Sequence, residues 1–532
     1  MKKGFLSTIV SIKYLAGLLF LLSSCNDFIE IDQEGVFSDI TYYRNQETAE
    51  ELVMSCYDIY QSSWPITYAE VITVPGDYRS DDAHQGGDPN PRADIEGRRE
   101  EIAQMQIFDN NPIVHNIWTF YFGAVWRNNV AIEKIGKIAD SEFDKGIKEQ
   151  FLAEARFLRA YNYSFLVKIF GDVPIIDHPL SPDEYNKSRD PKEVVFDFII
   201  DDLRYAITHL PLKNGIDAGR ATRGAAMYLL TNVLVFEAGT DKTSPNWQMA
   251  YNVADSLING PYAGEYRLLE NYRQVWMEGF DFNDETIFEI VNNDNVQTEQ
   301  TSYVCYLYPR YVTNEAGERV GSWGWGNCVP TQDLVDAFET NEDYGDAVEW
   351  EDPRLQISVW RKGDIVPLGT GDPQNVNDSL PVWVEDTPDG YYTKKYWLNH
   401  EPAGFESPIN QKVFRFSDLI LFYAEAAWYL DKETEARNAL NLIRERARQG
   451  NPDNVLPDIT SSGEDLLEAI WHERRVELCM EHHRFYDLVR QGRVGQVMRA
   501  FGVNFVDGKH EVLPIPSTEL DLNPSLKQNP NY

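Results

Sequence analysis

Apolar side chains recur at three- and four-residue spacing over most of the chain, and this period predicts a largely helical fold. In the stretch 147–170, Phe151, Ala155 and Leu158 fall on one helical face, and Gly171 ends the pattern. The same reasoning predicts further helices at 47–61, 112–138, 190–210, 222–239, 246–259, 417–430, 434–449 and 463–491.

Three long stretches, at about 62–111, 260–331 and 363–414, lack a helical period, and we interpret them as loop insertions. Residues 285–292 alternate between apolar and polar positions, which predicts a short strand. The Ala-rich pair 417–430 and 434–449 is tetratricopeptide-like, and such pairs stack into solenoids that present loops from one edge. No linker-like tract divides residues 47–532. The sequence therefore predicts one mainly α unit, a tetratricopeptide-like helical-pair scaffold with long loops and little strand.

The N-terminus has the features of a bacterial lipoprotein leader. Lys2 and Lys3 precede an apolar stretch that is too short to span a bilayer, and Leu22-Ser23-Ser24-Cys25 matches the lipobox. We therefore expect residues 1–24 to be a signal peptide, Cys25 to carry the lipid, and residues 25–46 to form a tether. The anchor would then be a lipid and not a helix.

The charge of the chain restricts its partners. The formal net charge is −37, and cleavage before Cys25 would remove three lysines and make it more negative. A field of this sign repels polyphosphate, so we expect no nucleic-acid partner. An anionic ligand would need a local basic pocket, whereas a neutral ligand is unaffected.

Four cysteines remain besides Cys25, and their spacing fits no metal motif. Two disulfides are possible in an oxidising compartment, and of the three pairings one, Cys305 with Cys328, would close a loop. His472 and His483 lie too far apart on a helix to share one ion, and Val476 occupies the position at which a zincin has its second histidine. The sequence predicts no cofactor and no metal site, and it leaves a structural Ca²⁺ open. The four remaining cysteines are Cys56, Cys305, Cys328 and Cys479.

Several segments, in this order, resemble the SusD/RagB family of outer-membrane nutrient-binding lipoproteins. The resemblance extends over essentially the whole chain after Cys25. The segments are Ala153-Glu154-Ala155-Arg156-Phe157-Leu158-Arg159-Ala160-Tyr161 with Phe170-Gly171-Asp172-Val173-Pro174, then Phe414 to Ala426, then Ile470 to Leu478 with His483 to Arg490, and Leu513 to Tyr532.

The resemblance implies a helical tetratricopeptide scaffold with a loop-rich half that binds ligand. It also implies a lipid-anchored protein on the outer face of the outer membrane, which caps a SusC-like TonB-dependent transporter and loads it. Most ligands of the family are oligosaccharides, some are peptides, and its members bind without catalysis.

Sugar rings stack on flat aromatic side chains and bond to Asp, Asn and Arg, so we expect the ligand contacts in loops that combine these residue types. Trp323 and Trp325 stand among glycines and would share one side of an extended segment. The alternative is that the loop aromatics pack the loops onto the scaffold, as we expect of Trp118 and Trp126 in their helix. The predicted contacts are Trp64, Tyr78, Arg79, Asp81, Asp82, Tyr303, Arg310, Trp323, Trp325 and Asn327.

The sequence thus favours oligosaccharide binding at the cell surface, with delivery to the transporter and no chemical step. Three alternatives stay open: capture of a peptide or glycopeptide, an assembly protein whose loops only seal the transporter, and a surface glycoside hydrolase. A hydrolase would need two carboxyls facing each other across a cleft. Asp81-Asp82 and Glu100-Glu101 are examples of the many paired acids in this chain.

Overall fold

A computed structural model gives the fold. It describes residues 42–61, 68–87, 95–292, 303–309, 324–367, 379–381, 387–398, 407–452 and 454–532. Asn45–Tyr532 form one compact unit. Within the described residues, no helix is both long enough and apolar enough to cross a membrane. The predictions for residues 1–24 and for Cys25 lie outside the described residues.

Helices make up about 54% of the chain and strands about 7%, which confirms the mainly α prediction. The N-terminal half contains α1 Gln46–Asp58, α2 Tyr68–Thr73, α3 Ile95–Ala103, α4 Pro112–Lys137, α5 Ile147–Phe170, α6 Lys192–His209, α7 Arg223–Ala238 and α8 Asn246–Ile258. The C-terminal half contains α9 Tyr303–Leu307, α10 Gln332–Asp336, α11 Asn341–Tyr344, α12 Pro353–Ser358, α13 Phe416–Tyr429, α14 Glu433–Ala447, α15 Glu464–Glu477, α16 Arg484–Arg490, α17 Val494–Ala500 and α18 Ser517–Leu522.

The strands in the described residues form four antiparallel two-stranded sheets, in which β1 pairs with β3, β2 with β8, β4 with β7 and β5 with β6. The predicted strand is confirmed as β2, and its partner β8 comes from a stretch interpreted as loop. The strands are β1 Ala83–Gly86, β2 Thr286–Ile290, β3 Asn327–Pro330, β4 Val359–Arg361, β5 Ile365–Pro367, β6 Ser379–Pro381, β7 Tyr391–Thr393 and β8 Gln411–Arg415.

Local sequence signals set the helix ends. Asn45 accepts a hydrogen bond from the Thr48 amide and caps α1. Asn111 caps α4 in the same way, and Pro112 occupies the first turn, where no backbone donor is needed. Gly171 ends α5 in a conformation with φ +73°, which glycine adopts without strain.

Successive long helices pack against one another, so the scaffold is an array of helical pairs. Helix α4 packs on α5, α5 on α6, α6 on α7, α7 on α8, α8 on α13, and α13 on both α14 and α15. The tetratricopeptide-like prediction is confirmed, and the loop regions are inserted between these pairs.

A network of buried ion pairs joins the array to the loop regions. Glu477, at the end of α15, is fully buried. Its carboxylate accepts from Arg446 Nη2 at 2.5 Å, Arg415 Nη1 at 3.0 Å and Arg354 Nη1 at 3.2 Å. Burial alone would raise the pKa of Glu477, but the guanidinium groups of Arg446, Arg415 and Arg354 lower it to about 2. The ionised carboxylate is therefore part of the fold.

The prediction of a single helix at 463–491 was wrong, because the helical path is interrupted between α15 and α16. Side chains of three other segments donate hydrogen bonds to the last carbonyl of α15. Tyr272 Oη donates to Glu477 O at 2.7 Å, and Arg415 Nη2 donates to the same oxygen at 3.0 Å. Lys395 Nζ donates to the same oxygen at 3.3 Å. Met480 and His482 then adopt left-handed φ values of 59° and 67°, which end the helical path.

The four remaining cysteines are buried thiols and form no disulfide. Burial raises the pKa of Cys56 to about 12, so this thiol stays protonated at neutral pH. Neither disulfide that the sequence allowed is formed, and Cys305 does not close a loop with Cys328.

Candidate functional site

Strands β1 and β3 form a short ribbon at the centre of the loop-rich half. Gly86 pairs with Asn327, and the Gly87 amide donates to Gly326 O at 2.7 Å. Gly86 has φ +70°, and a Cβ at this position would lie 2.2 Å from Gly326 O. Only glycine fits both the conformation and the close approach of the two strands.

Three described segments of the chain meet beside this ribbon, at residues 308–309, 324–326 and 407. The Gly324 amide donates to Pro309 O at 3.0 Å, and the Gly326 amide donates to Tyr308 O at 2.8 Å. Tyr308 Oη lies 3.3 Å from Ser407 Oγ.

Two aspartates beneath the ribbon are held by arginines. Asp81 accepts from Arg484 Nε and Nη2, both at 2.8 Å, and Asp82 accepts from Arg475 Nε at 2.7 Å. Arg475 also contacts Asp81 at 2.9 Å and Asp333 at 2.9 Å. Burial raises the pKa of Asp82 to about 6, although Arg475 opposes the shift. Burial would also raise the pKa of Asp81, but the hydrogen bonds and the charge of Arg484 keep this pKa below the ordinary value.

Tyr78 and Arg79 lie inside the scaffold. Tyr78 is 1% exposed, and its hydroxyl shares a 2.9 Å hydrogen bond with that of Tyr306. Arg79 is 0% exposed, lies 4.0 Å from the centre of the Phe485 ring, and donates to the backbone oxygen of His510. A ligand on the surface reaches neither side chain in this structure. Like Asp81 and Asp82, these two residues are buried beneath the ribbon and hold it in place through their contacts.

The remaining predicted contacts divide into two groups. Trp325 is partly exposed, and its ring lies 6.0 Å from that of Tyr306, edge to face. Asn327 is buried in β3, 1% exposed. Four predictions lie outside the described residues or side chains. They are Trp64, Arg310, Trp323 and the side chain of Tyr303, whose backbone begins α9.

A polar network with rings beside it forms the outer side of the ribbon. His84 Nε2 lies 2.8 Å from Asp389 Oδ2, which also accepts from the Gln332 amide at 2.9 Å. Tyr391 Oη donates to Gln332 Oε1 at 2.8 Å. The ring of Phe501 lies 6.0 Å from that of His84. The side chains of His84 and Asp389 are 28% and 30% exposed, so solvent reaches the network.

This arrangement is suited to binding a ligand that carries hydroxyl groups. Partly exposed rings can cover the apolar face of a ligand, while the carboxylate, amide and phenol groups exchange hydrogen bonds with its hydroxyls. The paired acids Asp81-Asp82 are occupied by arginines and do not face each other across a cleft. In the described part of the chain, no group of three acidic, His or Cys side chains is placed to hold a metal ion.

Sequence reasoning missed this network. Its members come from four separate parts of the chain, and no local motif connects them. His84 is in β1, Gln332 begins α10, Asp389 and Tyr391 flank the start of β7, and Phe501 follows α17. A further correction concerns α4, where Trp118 is buried as expected but Trp126 is 59% exposed.

Comparison with known proteins identifies the family. Residues 284–532 match the model described as SusD family, and residues 92–234 match a model described as starch-binding associating with outer membrane. The array of helical pairs is the tetratricopeptide-like architecture of SusD-superfamily structures, and the chain belongs to the SusD family.

Relatives match over most of the chain. SusD-like protein P2 of Formosa agariphila is 26% identical, covering 97% of this chain and 98% of that protein. Starch-binding protein SusD of Bacteroides thetaiotaomicron is 24% identical over 71% of this chain and 72% of its own. A solved laminarin-binding SusD-like protein superposes with a TM-score of 0.72 at 26% identity, covering 92% of this chain and 100% of that one.

Proposed function

We propose that the protein captures oligosaccharide at the cell surface and delivers it to a SusC-like TonB-dependent transporter, without a chemical step. The ribbon face carries the proposal, because it places partly exposed rings beside a solvent-reached hydrogen-bonding network. The protein is held at the outer membrane by lipid on Cys25. The solved relative that binds laminarin, and the relative named as starch-binding, support a glucan as the first ligand to test.

The first test is the double change His84→Ala, Phe501→Ala. We expect it to weaken laminarin binding about 10-fold or more, since each stacked aromatic contact contributes about 1 kcal/mol beyond area burial. Affinity electrophoresis in gels with and without laminarin, followed by calorimetry, measures the change. Trp126→Ala is the matched control, because it removes an exposed ring of α4 that lies outside the network.

The same binding assay, applied to a second variant and to other ligands, separates glycan capture from the alternative functions. Trp323→Ala, Trp325→Ala tests the loop contacts predicted from sequence. If that change leaves binding intact but weakens association with the transporter, these loops serve to seal the complex. Binding from a peptide pool, with no retardation by any glycan, would replace the proposal by peptide capture. New reducing ends released from laminarin would replace it by hydrolysis.

Anchoring is tested separately by Cys25→Ala. The variant cannot take lipid, and a lipid chain supplies the membrane affinity of such a protein. We expect it to be recovered in the soluble fraction of cells that express it without the transporter. Continued fractionation with the outer membrane under those conditions would rule out lipid on Cys25 as the anchor.

A further inference from the structure

Acidic side chains surround the ribbon network, and this bears on the ligand class of the proposed site. Asp389 belongs to the network itself. Asp336 accepts from Gln332 Nε2 at 2.7 Å and is exposed. Asp333, 49% exposed, lies one residue from Gln332. Three carboxylates therefore stand within one residue or one hydrogen bond of the same glutamine.

The basic side chains nearby are already neutralised. The guanidinium of Arg475 forms ion pairs with Asp81, Asp82 and Asp333, and that of Arg484 forms an ion pair with Asp81. Both are about seven-eighths buried, with side chains 13% and 12% exposed.

Arg361 lies opposite Tyr391 in the β4–β7 pair, and its guanidinium is also neutralised. It forms two hydrogen bonds to Glu351, at 2.8 and 2.9 Å. Within the described residues of this face, these arginines therefore leave no guanidinium fork for a sulfate or carboxylate of a ligand.

The titration of Tyr391 agrees with a negative local field. Partial burial raises its pKa, and the charges of Asp336 and Asp389 raise it further, against the opposing effect of Gln332 and Arg361. A phenol becomes harder to ionise where negative charge is already present.

We propose that this site selects neutral oligosaccharides and rejects sulfated or uronic acid glycans, through repulsion by Asp336 and Asp389. Among the described residues neither carboxylate forms an ion pair with Lys or Arg, whereas Asp333 is paired with Arg475. The inference rests on the proposed function. It bears on a question that net charge alone left open, namely whether a local basic pocket compensates for the acidic chain. Neutral hydroxyls can donate to these carboxylates, whereas an anionic group would meet like charge within a Debye length.

The test compares laminarin with laminarin sulfate, which share a backbone and differ in charge. We expect the sulfated polymer to bind the purified protein at least about 10-fold more weakly in 20 mM buffer without added salt, where screening is weak. Adding NaCl to 0.5 M should narrow the gap by improving the sulfated polymer's binding, while laminarin binding stays constant. Polyanion binding to a basic site shows the opposite salt dependence.

The change Asp336→Asn should raise the ratio of laminarin sulfate affinity to laminarin affinity, because the amide removes the negative charge and keeps an oxygen that can accept from Gln332 Nε2. Asp201→Asn, an exposed carboxylate of α6, is the control and should change neither. Equal binding of the two polymers, or binding of the sulfated form that is lost in Arg310→Ala, would overturn the charge selection while leaving glycan capture standing. Failure of both polymers and of other neutral glycans would instead refute the proposed function.

Discussion

Replacing Glu477 by glutamine should lower the free energy of unfolding by about 3–5 kcal/mol, because it leaves buried guanidinium groups without their shared carboxylate. Arg354 and Arg415 are 1% and 2% exposed, so water cannot replace the lost charge. Unfolding in urea, followed by circular dichroism, measures the difference.

Glu468→Gln on the same helix is the control. Glu468 is 56% exposed and pairs with Arg493 at 2.8 Å, so its loss should cost less than about 1 kcal/mol. Equal effects of the two changes would show that the buried network does not stabilise the fold.

The difference between wild type and Glu477→Gln should depend on pH in a defined direction. The pKa of Glu477 is lowered to about 2 in the folded protein from the ordinary glutamate value of 4.5. Its contribution is therefore fully present above about pH 4.5 and is lost as the pH falls toward about 2. The gap between the two unfolding curves should close over this window, and a gap that persists at pH 2 would argue against ionic stabilisation.

Trp247→Ala should have a comparable effect, about 3–5 kcal/mol, through lost packing. The indole is fully buried, stacks on Tyr429 with centroids 3.8 Å apart, and donates to Asp241 O at 2.9 Å. It joins α8 to α13, so its loss opens a cavity between two of the helical pairs. Urea unfolding of the variant measures the cost.

Trp126→Ala removes the same side chain from an exposed position and should change stability by less than about 1 kcal/mol. Comparing the two variants separates the stability lost through packing from any effect of removing a tryptophan as such. If both variants lost similar stability, the interface between α8 and α13 would not be the cause.

One helix connects the stability of the scaffold with the geometry of the site. Helix α15 points Glu473, Arg474 and Glu477 into the interior, where each is at most 1% exposed. Arg475, between them in sequence, points instead to the aspartates beneath the ribbon. The family-like segment of this helix therefore both closes the core and holds the floor of the candidate site. Changes there are expected to alter binding indirectly, through the position of the ribbon.

Patterns along the chain were sufficient to predict the scaffold. Apolar periodicity with Gly171 and Pro112 at helix ends placed the long helices within one to three residues of their observed limits, because those signals act within a single element. The break after Glu477 escaped the same reasoning, since its cause is three donors from segments 62 to 205 residues away. The short helices α2 and α3, inside a stretch interpreted as loop, escaped it as well.

The candidate site was decided only by the tertiary structure. Composition predicted contacts in the loops but could not tell that Tyr78, Arg79, Asp81 and Asp82 are buried, because burial depends on what packs against them from elsewhere. The outer network forms when β1, α10, the start of β7 and the end of α17 meet. A local pattern records the face of a helix or strand. It cannot predict which polar groups from distant segments lie opposite that face.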